Sequence, residues 1–189
     1  MSKKHSHQGT PMSHTKAHHL LNPLRGLILS PKKLARRLGL KPVFSVLELG
    51  AGPGYYSIEI ARRLTGGKLI LVDVQQEMLD MARERLENSG ITNVEYWKAD
   101  AGSVPADNAS FDVVFVVAVL GEISDRAACL REARRVLRAD GLLSLTEQFG
   151  DPDFIPMAEI MKLTADAGFE LVAKYGFRFN YTANFRLAH

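Results

Sequence analysis

Apolar and polar positions change period several times along this chain, and each change marks an element. Ser30 followed by Pro31 is a helix-start signal, Leu34, Ala35 and Leu38 form the apolar stripe, and Gly39 ends it. FSVLEL (44–49) reads as a strand and YYSIEIARRL (55–64) as the helix after it. KLILVDV (68–74) is a second strand, and 76–88 a helix with Met78, Ala82 and Leu86 inward and Gly90 beyond its end. VEYWKAD (94–100) is a third strand. FDVVFVVAVL (111–120) is a fourth, apolar enough to be buried on both faces, as central parallel strands are. The spacing then predicts a helix over 125–138 stopped by Gly141, a fifth strand LLSLTEQ (142–148), and a short helix over 156–167 stopped at Gly168. FELVAKYG (169–176) and NYTANFRL (180–187) lie close enough to pair as an antiparallel hairpin. With no internal repeat and no dividing linker, this alternation implies one α/β domain with a doubly wound sheet.

Composition adds little until charge is placed along the chain. The 189 residues are 46% hydrophobic and 24% charged with one cysteine, which excludes wholesale disorder and a disulfide scaffold. The net charge of +3 conceals a split: residues 1–47 carry nine Lys and Arg and no acid, whereas the remainder sets fifteen cations against 21 acids. Five of the six His lie between His5 and His19. Residues 1–19 read as a solvated, disordered basic leader. His14, His18 and His19 would share one face of a helix, but no helix is predicted there and no metal site is expected. LLNPLRGLIL is broken by Asn22, Pro23 and Arg25, so it is no secretory signal core, and no apolar run reaches membrane-spanning length. Cys129 stands alone, and a reducing, cytoplasmic setting is expected.

Candidate chemistry begins where the first strand meets its helix, at ELGAGPGYY. Gly50, Gly52 and Gly54 permit positive dihedrals and close approach of a ligand to backbone, and the loop delivers that ligand to a helix N-terminus. A P-loop would need a Lys and a hydroxyl after its last glycine, where Tyr55 and Tyr56 stand. A dinucleotide fingerprint beginning at Gly50 would need Gly or Ala at residue 55. Asp73 ends the second strand nineteen residues past Gly54, where a carboxylate can accept from both hydroxyls of a ribose. Asp100 ends the third strand, in reach of an adenine amine. Singly, each acid reads as a cap or a surface strand end; three elements at successive strand ends point to a nucleoside-bearing ligand.

VLELGAGPGYYS, LVDVQQEML, WKADAGSVP, FDVVFVVAVLGEI and LREARRVLRADGLLSLTE resemble the successive motifs of class I S-adenosylmethionine-dependent methyltransferases. The likeness is nearest to the small enzymes similar to the quinone-biosynthesis (type 11) methyltransferases. It is dense from Val43 to Glu147, looser through the final hairpin, and absent from the first 30 residues. It implies a single Rossmann-like domain over 43–189, with a mostly parallel seven-stranded sheet whose last strand is antiparallel. By this resemblance Glu48, Gly50, Gly52 and Gly54 surround the methionine end of S-adenosylmethionine, and Asp73 holds the ribose. Val74, Asp100 and the Ala101 backbone meet the adenine, and Val117 and Ala118 close the site.

Such an enzyme has to align its acceptor with the methyl group and exclude water, worth up to about 7–11 kcal/mol in the best intramolecular cases. If the acceptor must lose a proton, Glu122 and Glu147 are the candidate bases, although His is frequent in the resembled subgroup where Gly121 and Glu122 stand here. Glu122 reads equally as a polar residue near a helix start, Glu147 as a solvated strand end, and Tyr55 or Tyr56 as an acceptor-facing ring. VLGEI lacks the Asn/Asp-Pro-Pro signature of amino-group methylases, there is no Pro-Cys nucleophile, and one cysteine rules out a thiol site for arsenite. No large insertion supplies a lid, so residues 20–42 are expected to roof the acceptor as a helical segment. Arg25, Lys32, Lys33, Arg36 and Arg37 would then favour an acidic or membrane-surface small molecule. No nucleic-acid-binding module is recognisable. The alternatives are a nucleic-acid methylase, a cofactor-binding protein without transfer activity, and a nicotinamide-dependent protein; oligomeric state is not legible.

Overall fold

Ser30 caps the helix that follows it as its sequence signal predicts, its Oγ accepting from the Lys33 N–H at 3.3 Å with Pro31 at the first helical position. The computed structural model describes residues 29–148 and 150–188. The leader read over 1–19, and the part of the 20–42 segment before Leu29, lie outside them. Among the described residues the helices are α1 (Pro31–Arg37), α2 (Ser57–Arg63), α3 (Gln76–Asn88), α4 (Arg126–Val136) and α5 (Met157–Asp166). The strands are β1 (Ser45–Leu49), β2 (Lys68–Asp73), β3 (Val94–Lys98), β4 (Phe111–Val117), β5 (Leu137–Glu147), β6 (Phe169–Phe177) and β7 (Asn180–Leu187).

These strands form one sheet in the order β3-β2-β1-β4-β5-β7-β6. All neighbours are parallel except β7, which runs antiparallel to both β5 and β6. The predicted seven-stranded, doubly wound architecture is the observed one. Strand alternation divides the core in two. Leu47, Leu49, Val114 and Val116 face α4 and α5 through Leu130, Ala133 and Ile160. Val46, Leu69, Leu71, Val113 and Phe115 face α1, α2 and α3 through Leu34, Ile60, Leu79 and Ala82. Each such side chain taken fully out of water contributes roughly 1.5–3 kcal/mol. The chain order reverses beside β1, whose neighbours lead away in opposite directions, and this opens a crevice at the carboxyl ends of β1 and β4.

Two boundaries differ from expectation for identifiable reasons. Strand β4 ends at Val117 instead of running to Leu120, because Ala118 adopts φ +52 and turns the chain out of the sheet. Helix α4 ends at Val136, and Leu137 is already paired with Phe111. Residues 138–141 then bulge before pairing resumes at Val113 with Leu142, and Arg138 bonds Asp112 at 2.5 Å across the irregularity. Gly141 belongs to this bulge, since a Cβ there would sit 2.7 Å from Leu137 Cδ2.

Candidate active site

Alternation along β1 sends Val46 and Glu48 to the α2 side of the sheet, so Glu48 is buried at the crevice floor. Its Oε2 accepts from Ser57 Oγ at 2.6 Å. Burial pushes its carboxyl up to about 8; the Ser57 hydrogen bond opposes this and the nearby charge of Asp73 adds to it. Immediately after β1, Gly50 takes φ +70 and its Cβ position lies 2.4 Å from Val119 Cγ1. Only glycine lets the first loop pass beneath the turn that follows β4.

Asp73, at the end of β2, ties that loop to the second strand. Its Oδ2 accepts from the Gly52 N–H and its Oδ1 from the Gln75 N–H, each at 3.0 Å. Burial raises its carboxyl, and the backbone N–H groups of Gln75, Gly52 and Val74 pull it back down. An ionised carboxylate has about four acceptor positions, so these three N–H groups leave acceptor capacity for a ligand hydroxyl. Asp100 lies just beyond β3, which ends at Lys98, and its Oδ1 accepts from the Gly102 N–H at 2.7 Å.

Glu48, Gly50, Gly52, Asp73, Val74, Asp100, Ala101, Val117 and Ala118 all line one cavity over the crevice. Gly54 does not. Its missing Cβ would stand 3.0 Å from Leu86 Cδ1 and 3.1 Å from Ala82 Cβ, so it lets the loop pack on α3. The two candidate bases part company as well. Glu122 lines the cavity, whereas Glu147 is buried behind it, where it accepts from the Ile155 N–H at 3.1 Å. Burial pushes Glu147 up to about 8 despite that hydrogen bond. It is therefore neither a solvated strand end nor part of the cavity wall. At Gly121 a Cβ would fall 1.9 Å from the Asp153 carbonyl oxygen, so the histidine often found there in the resembled subgroup has no room.

Both tyrosines reach the wall, with ring centroids 4.9 Å apart and planes at 87°. Tyr56 is buried; its hydroxyl accepts from Gln148 Nε2 at 2.8 Å and donates to the Leu29 carbonyl at 3.4 Å. Sequence reasoning missed Met78, Ser124 and Asp125 as lining residues. Asp125 caps α4, accepting from the Ala128 N–H at 2.8 Å. A helix start is visible in SDR, but its return to the cavity is a tertiary fact. The wall thus carries five carboxylates, Glu48, Asp73, Asp100, Glu122 and Asp125, and no Lys, Arg or His among the described residues. Such a surface suits a cationic, hydroxyl-bearing ligand. Among the described residues no cluster of side chains has metal-ligand geometry.

Residues 46–141 match the family model of a methyltransferase domain. A ubiquinone/menaquinone biosynthesis C-methyltransferase of Vibrio vulnificus is 33% identical over 141 residues, covering 73% of this chain and 52% of that protein. The chain thus spans about half the length of this curated relative. In three dimensions it is similar to an S-adenosylmethionine-dependent methyltransferase from Aquifex aeolicus, with TM-score 0.88 at 23% identity over 94% of this chain and all of that one. It also superposes on a methyltransferase, CalH, solved with S-adenosylhomocysteine, with TM-score 0.72 at 22% identity over 94% of this chain and 62% of the other. The two structural likenesses establish the shared fold, and the family match covers the glycine loop and the ends of the parallel strands β1 to β4 up to the β5 bulge. The chain belongs to the methyltransferase domain family.

Proposed function

We propose that this protein transfers a methyl group from S-adenosylmethionine to a small-molecule acceptor. The observation that carries the proposal is the cavity wall, cation-free among the described residues, in which Asp73 is pinned by the glycine loop and Glu48 is buried below it. S-adenosylmethionine, when bound, supplies a methyl group on a sulfonium already activated for displacement. Glu48 would take the ammonium of the methionine end, a contact that favours its ionised form. Asp73 would accept from the ribose through the acceptor capacity its backbone partners leave. Val74 and Ala101 would border the adenine, with Asp100 accepting from its amine. Val117 and the left-handed Ala118 would hold the backbone of the post-β4 turn against the ligand.

On the acceptor side, Glu122 would receive the acceptor's proton if one must leave, and the Tyr55 ring would help to exclude water. Carbon is the favoured attacking atom, since the curated relative's name describes a C-methyltransferase. An acidic or membrane-associated acceptor is favoured by the basic face of α1, and the cytoplasm by the single, buried Cys129. The roofing role of residues 20–42 belongs to the same proposal, supported by the bond between the Leu29 carbonyl and the cavity residue Tyr56. The decisive experiment incubates the protein with methyl-labelled S-adenosylmethionine and polar and lipid extracts of the source cells. Label should appear in one acceptor, and Glu122→Gln should lower kcat about 100-fold while leaving cofactor affinity unchanged. Binding of S-adenosylhomocysteine without transfer to any fraction would reduce the protein to a cofactor binder.

A further inference from the structure

The far edge of the sheet carries a surface with no part in the cavity. Strand β6 is an edge strand exposed along most of its length, and its hairpin with β7 turns at residues 178–179. Phe177 is 65% exposed and Phe179 47%, with Tyr175 and Val172 also open to solvent. Large apolar side chains grouped at a hairpin tip are unusual on a surface that meets only water.

Cations border this tip. Arg37 of α1 lies over the Tyr175 ring, 5.5 Å from its centroid, and donates to Thr182 Oγ1 at 2.8 Å. Tyr175 and Phe177 share a face of β6 by alternation, so Phe177 stands on the α1 side, nearer the hairpin turn. Lys33 shares a helix face with Arg37 one turn earlier, and Arg36 is exposed beside it. Among the described residues no carboxylate pairs with Lys32, Lys33, Arg36 or Arg37, and α1 contains no acid. Lys174 and Arg178 extend the positive charge along the hairpin.

The orientation of this surface follows from the register. Helix α1 begins where Leu29 meets Tyr56 and ends where the Arg37 carbonyl accepts from Asn184, which pairs with Ser144 deeper in the sheet. Its start therefore lies at the carboxyl edge of the parallel strands. The hairpin turn lies at the same edge, because Tyr181 pairs with Glu147 at the end of β5. The aromatic tip and the basic helix thus sit on the edge that opens the cavity.

We propose that this α1–hairpin surface docks the protein on an anionic lipid bilayer, with Phe177 entering the interface and Lys33 and Arg36 meeting the headgroups, while Phe179 at the turn packs on Phe154 of the opposite face. Exposed aromatics flanked by cations are the side chains that bind such interfaces, through apolar burial together with attraction to anionic lipid. A second copy pairing along β6 fits less well, since the register shift at Leu171/Ala173 and the outward Lys174 interrupt the edge. Docking in this orientation turns the cavity mouth toward the membrane and gives a lipid-borne acceptor a short path to it. The docking does not depend on methyl transfer and is tested without an acceptor.

The test sediments the full chain with phosphatidylglycerol/phosphatidylcholine vesicles and with phosphatidylcholine alone, at low and high salt. The anionic vesicles should retain the protein and lose it as salt rises. Phe177→Ser and, separately, the pair Lys33→Glu and Arg36→Glu should each weaken retention about tenfold or more, with S-adenosylhomocysteine affinity and melting temperature unchanged. Several results would overturn the assignment: no retention, equal retention of the variants, or loss only when residues 1–19 are removed. Salt-sensitive capture by single-stranded RNA in place of vesicles would do the same. Unchanged vesicle binding in a protein that fails to bind S-adenosylhomocysteine would refute the methyl-transfer proposal and leave this one standing.

Discussion

Glu48 near the end of β1 and Glu147 at the end of β5 are chemically the same, both buried and both pushed up to about 8 by that burial. Their surroundings give them different work. Glu48 bonds one hydroxyl, faces the cavity and has Asp73 beside it, so a cation arriving in the cavity would draw out its proton. Glu147 accepts from the Ile155 backbone, in a region where Tyr181 also donates to the Ile155 carbonyl at 2.6 Å. It fastens the loop before α5 to the sheet. A perturbed carboxyl marks burial first, and only its access to a ligand makes it a functional group.

The contrast can be broken most severely at the residue Glu48 faces. Asp73→Ala removes the charge-assisted backbone bonds that hold the glycine loop and the proposed ribose acceptor together, so calorimetry should show S-adenosylmethionine binding weakened about 100-fold or more. Unchanged affinity would refute the ribose assignment. A finer probe is proton release. At pH 7 Glu48 keeps its proton without ligand, so binding of a cationic amine should release about one proton, read from binding heats in buffers of different ionisation enthalpy. Glu48→Gln should abolish that release, and Glu147→Gln should preserve it.

The smallest effect concerns stability. Both acids keep their protons in the fold at pH values where the unfolded chain has lost them. Their contribution is therefore full below the ordinary carboxylate range and is lost as pH rises toward about 8. Melting temperatures between pH 5 and 8.5 should fall less for Glu147→Gln than for the unsubstituted protein. Added S-adenosylhomocysteine should offset the fall by acting on Glu48 and leave the Glu147 share in place.

Much of this arrangement was legible in the chain because it is local. The Ser30–Pro31 cap, the apolar run of β4 and the strand-loop-acid spacing from Glu48 to Asp73 each depend on residues near in sequence. What escaped depends on distant contacts. Gly54 looks like its two neighbours in the loop, yet whether it meets ligand or α3 is decided by Ala82 and Leu86. Glu122 follows and Glu147 ends an apolar strand, and the loop at Asp153 and Ile155 separates their fates. Gly141 reads as a helix stop because bulges carry no period of their own. Asp125 announces a helix cap but not which cavity the cap faces.

The Tyr56 hydroxyl has a practical consequence for anyone trimming this protein. One oxygen receives the Gln148 amide and holds the Leu29 carbonyl, so a ring in the cavity wall is braced from both sides. A chain shortened to begin after Leu29 would remove one of that ring's hydrogen bonds and alter the pocket without touching any residue proposed to hold the cofactor. Deletions that stop ahead of Leu29 keep that bond, so Leu29 is a residue that any shortened version of the chain should retain.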